Sequence, residues 1–339
     1  MKALGKNPMI PPPQATVTRR VIGEEAEGQR IDNYLLRVCK GVPKSHIYRI
    51  LRSGEVRVDG RRAAPEYRLR AGDEVRIPPL RLGVDSAAAK PAVPHGAEYR
   101  VAHEDDTLLV VDKPAGTAVH GGSGVDFGVI EQLRRQRPRA RFLELAHRLD
   151  RETSGLLLIA KKRSMLTALH ELFRAGRIEK RYLALVKGRW RDPERHIRFP
   201  LHKYLTGEGE RRVSVSPQGK DAHSIARLLA RWENFSLVEV ELATGRTHQI
   251  RVHLTHLGFP LAGDDKYGDF ALNRELGKAG LKRMFLHAAK LSFQHPATGQ
   301  PLELNSALPA ELQFFLQRLE QNEKRDYGND PTALPSGRL

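Results

Sequence analysis

Cysteine is all but missing: the 339 residues include one, Cys39. A single thiol excludes an intrachain disulfide framework and any multi-cysteine zinc or iron–sulfur centre. Its neighbours Tyr34, Leu35 and Val38 assign it to core packing. Long apolar runs are lacking as well. No stretch approaches the ~18 consecutive apolar residues of a membrane-spanning helix, and Met1-Lys2-Ala3 leads into no signal-peptide core. A cytoplasmic protein without membrane attachment is expected. Nucleotide cradles are also wanting, because Gly121-Gly122-Ser123-Gly124 has neither the GKS/GKT ending of a P-loop nor the spacing of a dinucleotide fingerprint. That run reads as a plain turn or an active-site loop. His248, His253 and His256 cluster without forming HExxH, so packing, hydrogen bonding or RNA contact is expected of them and no metal.

Positive charge, by contrast, is abundant. Lys and Arg number 57 against 40 Asp and Glu, a formal net charge of +17. Such a surface gains salt-dependent affinity for a phosphate backbone by releasing counterions. Charge alone leaves nucleic acid, an anionic membrane surface and simple solubility all open. The length suffices for two compact domains with tails.

Residues 1–20 carry Pro8, Pro11, Pro12 and Pro13 with little periodicity and read as a disordered lead. Ile31, Tyr34, Leu35 and Val38 recur at i, i+3, i+4 and i+7, which predicts an amphipathic helix. Ser45 is the expected N-cap of a second helix carrying Ile47, Ile50 and Leu51. Val56 to Arg61 reads as a strand with an Asp-Gly hairpin turn, and Leu69 to Ile77 as a turn and strand. A linker is expected over 81–96, where Ala87-Ala88-Ala89 lies near two prolines.

The larger domain should span 97–321, followed by a polar tail from 322 to 339. Within it, Thr107–Asp112, Tyr182–Val186 and the alternating Val238, Val240 and Leu242 predict strands. Val125–Gln136, Ser164–Ala175 (ended by Gly176) and a segment carrying Leu312, Phe315, Leu316 and Leu319 predict helices. Strands and helices do not alternate in strict βαβ order, so the fold class is α+β: a mixed, largely antiparallel sheet with flanking helices.

The densest local pattern is Ala146-His147-Arg148-Leu149-Asp150-Arg151-Glu152-Thr153-Ser154-Gly155, which leads into the apolar run Leu156–Ala160. Asp150 sits between two arginines, and on its own such an Asp is usually an ordinary ion pair. The whole run resembles the HRLD-x-x-TSG signature of the RluA family of pseudouridine synthases. The resemblance implies that Asp150 is the catalytic carboxylate and that Arg148 fills the space vacated by a flipped base.

Three more segments are similar to that family. Glu179–Val186 matches its K-x-Y strand and implies Tyr182 as the active-site tyrosine. Gly245–His253 matches GRTHQ-[IL]-RVH and implies Arg251 as the cation facing Asp150. Met284–Ala288 matches the LHA segment and implies Leu286 in the apolar pocket floor. Residues 21–80 resemble an S4 RNA-binding domain through Gly28–Asp32, Ser45–Leu51 and the Gly54–Gly60 hairpin. From Arg30 to Arg81 that unit carries 13 Lys/Arg against 6 Asp/Glu, a net of +7. Arg37, Lys40, Lys44, Arg49 and Arg52 lie where one face could follow phosphates. The attached S4 unit, Lys40–Ser45 and the segment Lys113–Gly124 are closest to the RluC type, which acts on large-subunit (23S) ribosomal RNA. His120 in that last segment is taken as a substrate-side residue.

The implied reaction breaks the glycosidic N–C bond of uridine, turns the base and rejoins its C5 to the ribose. It has no net redox change and imports no group, so no cofactor is expected. An ionised carboxylate could attack the sugar or assist removal of the C2′ proton, and the residues do not choose between these. Ribosomal RNA is the expected partner and a monomer suffices. The competing reading is a catalytically idle RNA-binding or ribosome-assembly factor. A glycoside hydrolase would want a second carboxylate across the sugar, which the motif does not offer.

Overall fold

The computed structural model describes residues 16–39, 42–80, 98–121, 127–207 and 209–323. The chain divides into two compact units, residues 1–94 and 95–339.

In the first unit, β1 (Thr18–Val21) precedes the helices α1 (Ile31–Val38) and α2 (Lys44–Arg52). The short strands β2 (Arg57–Val58), β3 (Arg61–Arg62) and β4 (Glu74–Ile77) follow, and the sheet order is β1-β4-β2-β3. Asp59 and Gly60, both at positive φ, make the tight hairpin turn that the Asp-Gly pair announces. Ile31, Leu35, Ile47, Ile50 and Val75 share one buried core, and Cys39 packs at its edge. Two expectations are corrected here. Residues 18–20 are not part of a disordered lead, because β1 pairs with β4 from Thr18 onward, and residues 1–15 of the expected lead lie outside the described residues. Ser45 does not cap α2; Pro43 does, its fixed φ and missing N–H suiting the position before the first turn. The linker and the last residues of the expected tail lie outside the described residues.

The second unit is built on one ten-stranded sheet. Its strands are β5 (Arg100–Glu104), β6 (Leu108–Lys113), β7 (Glu144–Leu145), β8 (Ser154–Ala160), β9 (Glu179–Lys187) and β10 (Glu194–Ile197). A separate hairpin of β11 (Leu201–Leu205) and β12 (Arg211–Val215) precedes β13 (Ser224–Arg231), β14 (Phe235–Leu242), β15 (Leu286–Gln294) and β16 (Pro301–Asn305). The sheet order is β10-β13-β14-β9-β15-β8-β6-β5, with β16 on β15 and β7 on β8. Among the described residues the β15–β8 pair alone is parallel, which makes the sheet mixed and largely antiparallel. Its helices are α3 (Val129–Gln136), α4 (Arg163–Arg174), α5 (Gln249–His256), α6 (Phe270–Lys278) and α7 (Ala310–Asn322). α3 starts after its Gly128 cap rather than at Val125; residues 122–126 lie outside the described residues.

The unbroken apolar run of β8 is explained by burial on both faces. Leu156 and Leu158 face α4, packing with Met165, Leu166 and Leu169. Leu157 and Ile159 face the other core, with Val129, Ile130 and Leu133 of α3. A strand covered on both faces loses the in–out alternation of a half-exposed one. Gly155, at φ +110, lies where β8 meets β15; a Cβ there would stand 2.2 Å from the Ala288 carbonyl oxygen. Gly155→Ala is therefore expected to destabilise the unit by at least about 2 kcal/mol through backbone strain and overpacking. Urea unfolding checks this, and an unchanged midpoint would show that the two strands can part at no cost.

Candidate active site

Asp150 occupies a turn, with Thr153 N–H donating to its carbonyl at 3.2 Å, immediately before β8. The turn is held from two sides by basic side chains. Lys113, wholly buried at the end of β6, donates to the carbonyls of Pro114, Thr117 and Arg151 at 2.9, 2.9 and 3.0 Å. Burial, then the Arg283 charge, pulls its ammonium down to about 7, against Glu152 and Asp150. Arg283 donates to Ser154 Oγ at 2.8 Å and to the Glu152 carbonyl at 3.3 Å, and pairs with Glu311 of α7 at 3.0 Å. His147 accepts the Leu158 N–H at Nε2, and burial pulls its ring down to about 3, so it stays neutral. The His of HRLD thus secures the backbone of β8.

Arg251, on the buried side of α5, points at this turn. Its Nη1 donates to Asp150 Oδ2 at 3.4 Å. Its Nε and Nη2 donate to Asp264 Oδ2 and Oδ1, both at 2.7 Å, a bidentate pair. Asp264 also accepts the backbone N–H groups of Lys266 and Tyr267. The Arg251 and Asp264 side chains are 6 % and 1 % exposed. Burial opposes both charges, yet their mutual hydrogen bonds and attraction win: Arg251 is raised and Asp264 lowered from the ordinary values. The Arg251 guanidinium also lies 5.1 Å from the centre of the Tyr267 ring. Arg251 is thus fixed before any substrate arrives, with one nitrogen left for Asp150.

Tyr182 of β9 pairs across from Ala288, and Leu286 across from Ala184, in the β9–β15 ladder. Tyr182, Leu286, Leu149 and Ile250 belong to one buried cluster. Burial, then the Asp150 charge, raises the Tyr182 phenol well above its usual range, so it stays protonated. Its hydroxyl bonds to no described residue. Asp150 from the turn before β8, Arg251 from α5, Tyr182 from β9 and Leu286 from β15 are thus brought to one region of the unit. Arg148 is exposed, and its side chain bonds to no described residue.

His120 is not brought into this group. It is exposed on the approach to α3, and among the described residues no hydrogen bond joins it to the set around Asp150. Gly128 fits against its backbone, where a Cβ would stand 2.4 Å from His120 N. The segment around His120 thus serves as packing surface for the start of α3. Asp264, conversely, is a site residue that the motifs did not single out. Its signal was the acidic run Asp264-Asp265-Lys266-Tyr267-Gly268-Asp269 shortly after GRTHQ. His248 stands beside Asp150, with 3.9 Å between Nε2 and Oδ2. His253 is wholly buried between Ser224 Oγ and the Phe199 carbonyl.

In the first unit, Arg37, Lys44, Arg49 and Arg52 are exposed, and none pairs with a described carboxylate. Arg37 and Lys44 lie over the rings of Tyr34 and Tyr48. Lys40 lies outside the described residues. Asp32, buried, accepts from Arg30 and from the Tyr48 hydroxyl, tying α1 to α2.

Comparison with known proteins agrees with this arrangement. Residues 107–256 match the RNA pseudouridylate synthase family, and residues 29–75 match the S4 domain. The ribosomal large subunit pseudouridine synthase C of Haemophilus influenzae is 50 % identical over 312 residues, 91 % of this chain and 97 % of that protein. Its namesake in Escherichia coli K12 is 51 % identical over 304 residues, 88 % of this chain and 95 % of that protein. Among solved structures, human RNA pseudouridylate synthase domain containing 4 is 27 % identical with a TM-score of 0.53, covering 65 % of this chain and 92 % of that one. The human domain containing 1 protein is 25 % identical with a TM-score of 0.56, covering 69 % of this chain and 91 % of that one. With half of its residues shared along nine-tenths of its length, and an S4 domain ahead of its catalytic sheet, the chain belongs to the RNA pseudouridylate synthase family.

Proposed function

We propose that the protein converts specific uridines of large-subunit ribosomal RNA to pseudouridine, with Asp150 as the reacting carboxylate and Tyr182 and Arg251 completing the catalytic set. The observation that carries this reading is the Asp150–Arg251–Asp264 arrangement. A cation fixed by its own buried counter-ion keeps one nitrogen directed at the part-buried carboxylate on which either candidate first step depends. The half-identical relatives, named for the ribosomal large subunit, supply the substrate class. Tyr182 offers the uracil a flat face, and Leu286 an apolar floor. All these groups come from one chain, so a monomer is competent, and a cytoplasmic site of action fits the single-cysteine composition. The test is tritium release from large-subunit ribosomal RNA labelled at uridine C5, with pseudouridines mapped in cells with and without the protein. Joining C5 to the sugar must expel the label as a proton. Binding without release would instead identify an idle RNA-binding factor.

The basic face of the S4 unit contributes affinity in this reading. Deleting residues 1–90 is expected to weaken RNA binding and to lower its salt dependence. For every phosphate that the shortened protein no longer neutralises, the log–log slope should fall by about 0.7–0.9. An unchanged slope would show that Arg37, Lys44, Arg49 and Arg52 do not meet RNA.

Arg148, exposed two residues before Asp150, is assigned the wedge role. A stacked base must be flipped out at a cost of a few kcal/mol. Arg148→Ala should therefore impair a substrate whose target uridine is stacked about tenfold more than one whose target is already extruded. Equal losses on the two RNAs would mark Arg148 as a general phosphate contact.

A further inference from the structure

His248 stands in left-handed backbone conformation, φ 53 and ψ 22, as the N-cap of α5. This conformation is uncommon for a residue with a side chain, and such outliers cluster at functional sites. The proton positions on its ring follow from its neighbours. Tyr267 Oη accepts the Val213 N–H at 3.0 Å and lies 2.8 Å from His248 Nδ1. Among the described residues no other acceptor takes the Tyr267 hydroxyl proton, so that proton goes to Nδ1. The neutral ring then carries its own proton on Nε2. Burial lowers the ring's basicity, which keeps it in this neutral form against the pull of Asp150.

The Nε2–H faces Asp150 Oδ2 at 3.9 Å, too far for a hydrogen bond. A donor and an acceptor thus stand side by side without bonding to each other, both part-exposed at 15 % and 18 %, so that one atom approaching from the open side can reach both. The group that satisfies both is a hydroxyl, which accepts from Nε2–H and donates to the carboxylate. An internal nucleotide has one hydroxyl on its ribose, the 2′, because its 3′ and 5′ oxygens are esterified. That hydroxyl adjoins the C1′ whose bond to the base must break.

We propose that His248 is a further catalytic residue, donating its Nε2–H to the ribose 2′-hydroxyl of the target uridine and so registering the sugar on Asp150. The inference rests on Asp150 as the carboxylate that meets the ribose. It assigns the discrimination of RNA from DNA at the target nucleotide to the His248–Asp150 pair.

The experiment uses the full-length protein and an RNA hairpin bearing one uridine that the protein converts. His248→Asn keeps an acceptor for Tyr267 and tolerates the left-handed backbone, but lacks the distal N–H. His248→Gln restores an N–H at about the same reach. Removing the bridge is expected to slow single-turnover conversion at least tenfold in His248→Asn and to weaken binding about fivefold, the worth of one hydrogen bond. His248→Gln should stay within about threefold of wild type in both. A hairpin with 2′-deoxyuridine at the target should bind about fivefold more weakly to wild type and to His248→Gln, and by a clearly smaller factor to His248→Asn, where only the bond to Asp150 is left to lose. Wild-type rates in His248→Asn would overturn the inference, as would a deoxy penalty equal in all three proteins. Asp150→Asn run alongside separates the two readings. If it is inactive while His248→Asn is unimpaired, only this inference fails; if it is active, the reading of Asp150 fails.

Discussion

Asp150→Asn is expected to abolish tritium release from C5-labelled ribosomal RNA while leaving the protein folded and bound to RNA. The physical basis is the division of labour around Arg251. Two of its nitrogens are bound by Asp264 at 2.7 Å, and its contact to Asp150 is the longer one, at 3.4 Å. Removing the Asp150 charge therefore leaves Arg251 paired, and no buried charge is stranded. An amide oxygen is a poor nucleophile and a poor base, so the chemistry should stop whichever first step operates. RNA affinity should stay within about tenfold, or ~1.4 kcal/mol, of wild type. Any change should favour tighter binding, since losing a negative charge lessens repulsion of a polyanion. Release at a rate near wild type would show that the reacting carboxylate lies elsewhere.

Asp264→Ala should do the opposite and damage the fold first. It leaves the Arg251 guanidinium, 6 % exposed, without its main partner, and it frees the backbone N–H groups of Lys266 and Tyr267. Stranding a buried charge costs about 3–5 kcal/mol, a large part of the stability of an ordinary domain. Activity should fall with it, because Arg251 loses the clamp that aims it at Asp150. The pH dependence has a definite sign. The folded-state pKa of Asp264 is depressed, so its stabilisation is present above the unfolded carboxylate pKa of about 4 and is lost as pH falls through the folded value. Urea midpoints of wild type and Asp264→Ala should accordingly be far apart at pH 7 and converge in acid. Equal midpoints at pH 7, with activity within threefold, would show that Arg251 needs no buried counter-charge.

The contrast between these two carboxylates is one of exposure and partners. Asp150 is part-exposed and shares its cation. Asp264 is buried and owns it. The proposed function accordingly gives Asp150 to the substrate and Asp264 to the support of Arg251, and a stability assay paired with an activity assay tells the two roles apart.

Much of this was legible in the sequence because the relevant signals are local. The i, i+3, i+4, i+7 spacing at Ile31–Val38 specifies a helix face within eight residues, and α1 occupies that span. Asp59-Gly60 specifies a hairpin because few residue pairs accept positive φ in succession. The motif around Asp150 carries its own turn and the buried strand behind it, so its place at the head of β8 was readable. Family patterns extended that reach to Tyr182, Arg251 and Leu286, which lie far apart along the chain.

What the sequence by itself determined, then, was the class of elements, the α+β architecture and the family to which the chain belongs. Tertiary structure alone decided which side chains share a charge. Asp264 follows Arg251 by 13 residues, a spacing that no helical or strand period privileges, and it becomes the arginine's counter-ion only because the chain leaves α5 and turns back. It likewise decided that Lys113 and Arg283 grip the Asp150 turn through backbone carbonyls, acceptors that every residue possesses and no sequence pattern marks. His120, conspicuous in its motif, stands exposed on the approach to α3, with no hydrogen bond among the described residues tying it to the set around Asp150. Residue identity fixes what a group can donate, accept or ionise, but the partner it finds depends on long-range packing, where distance in space is uncoupled from distance along the chain.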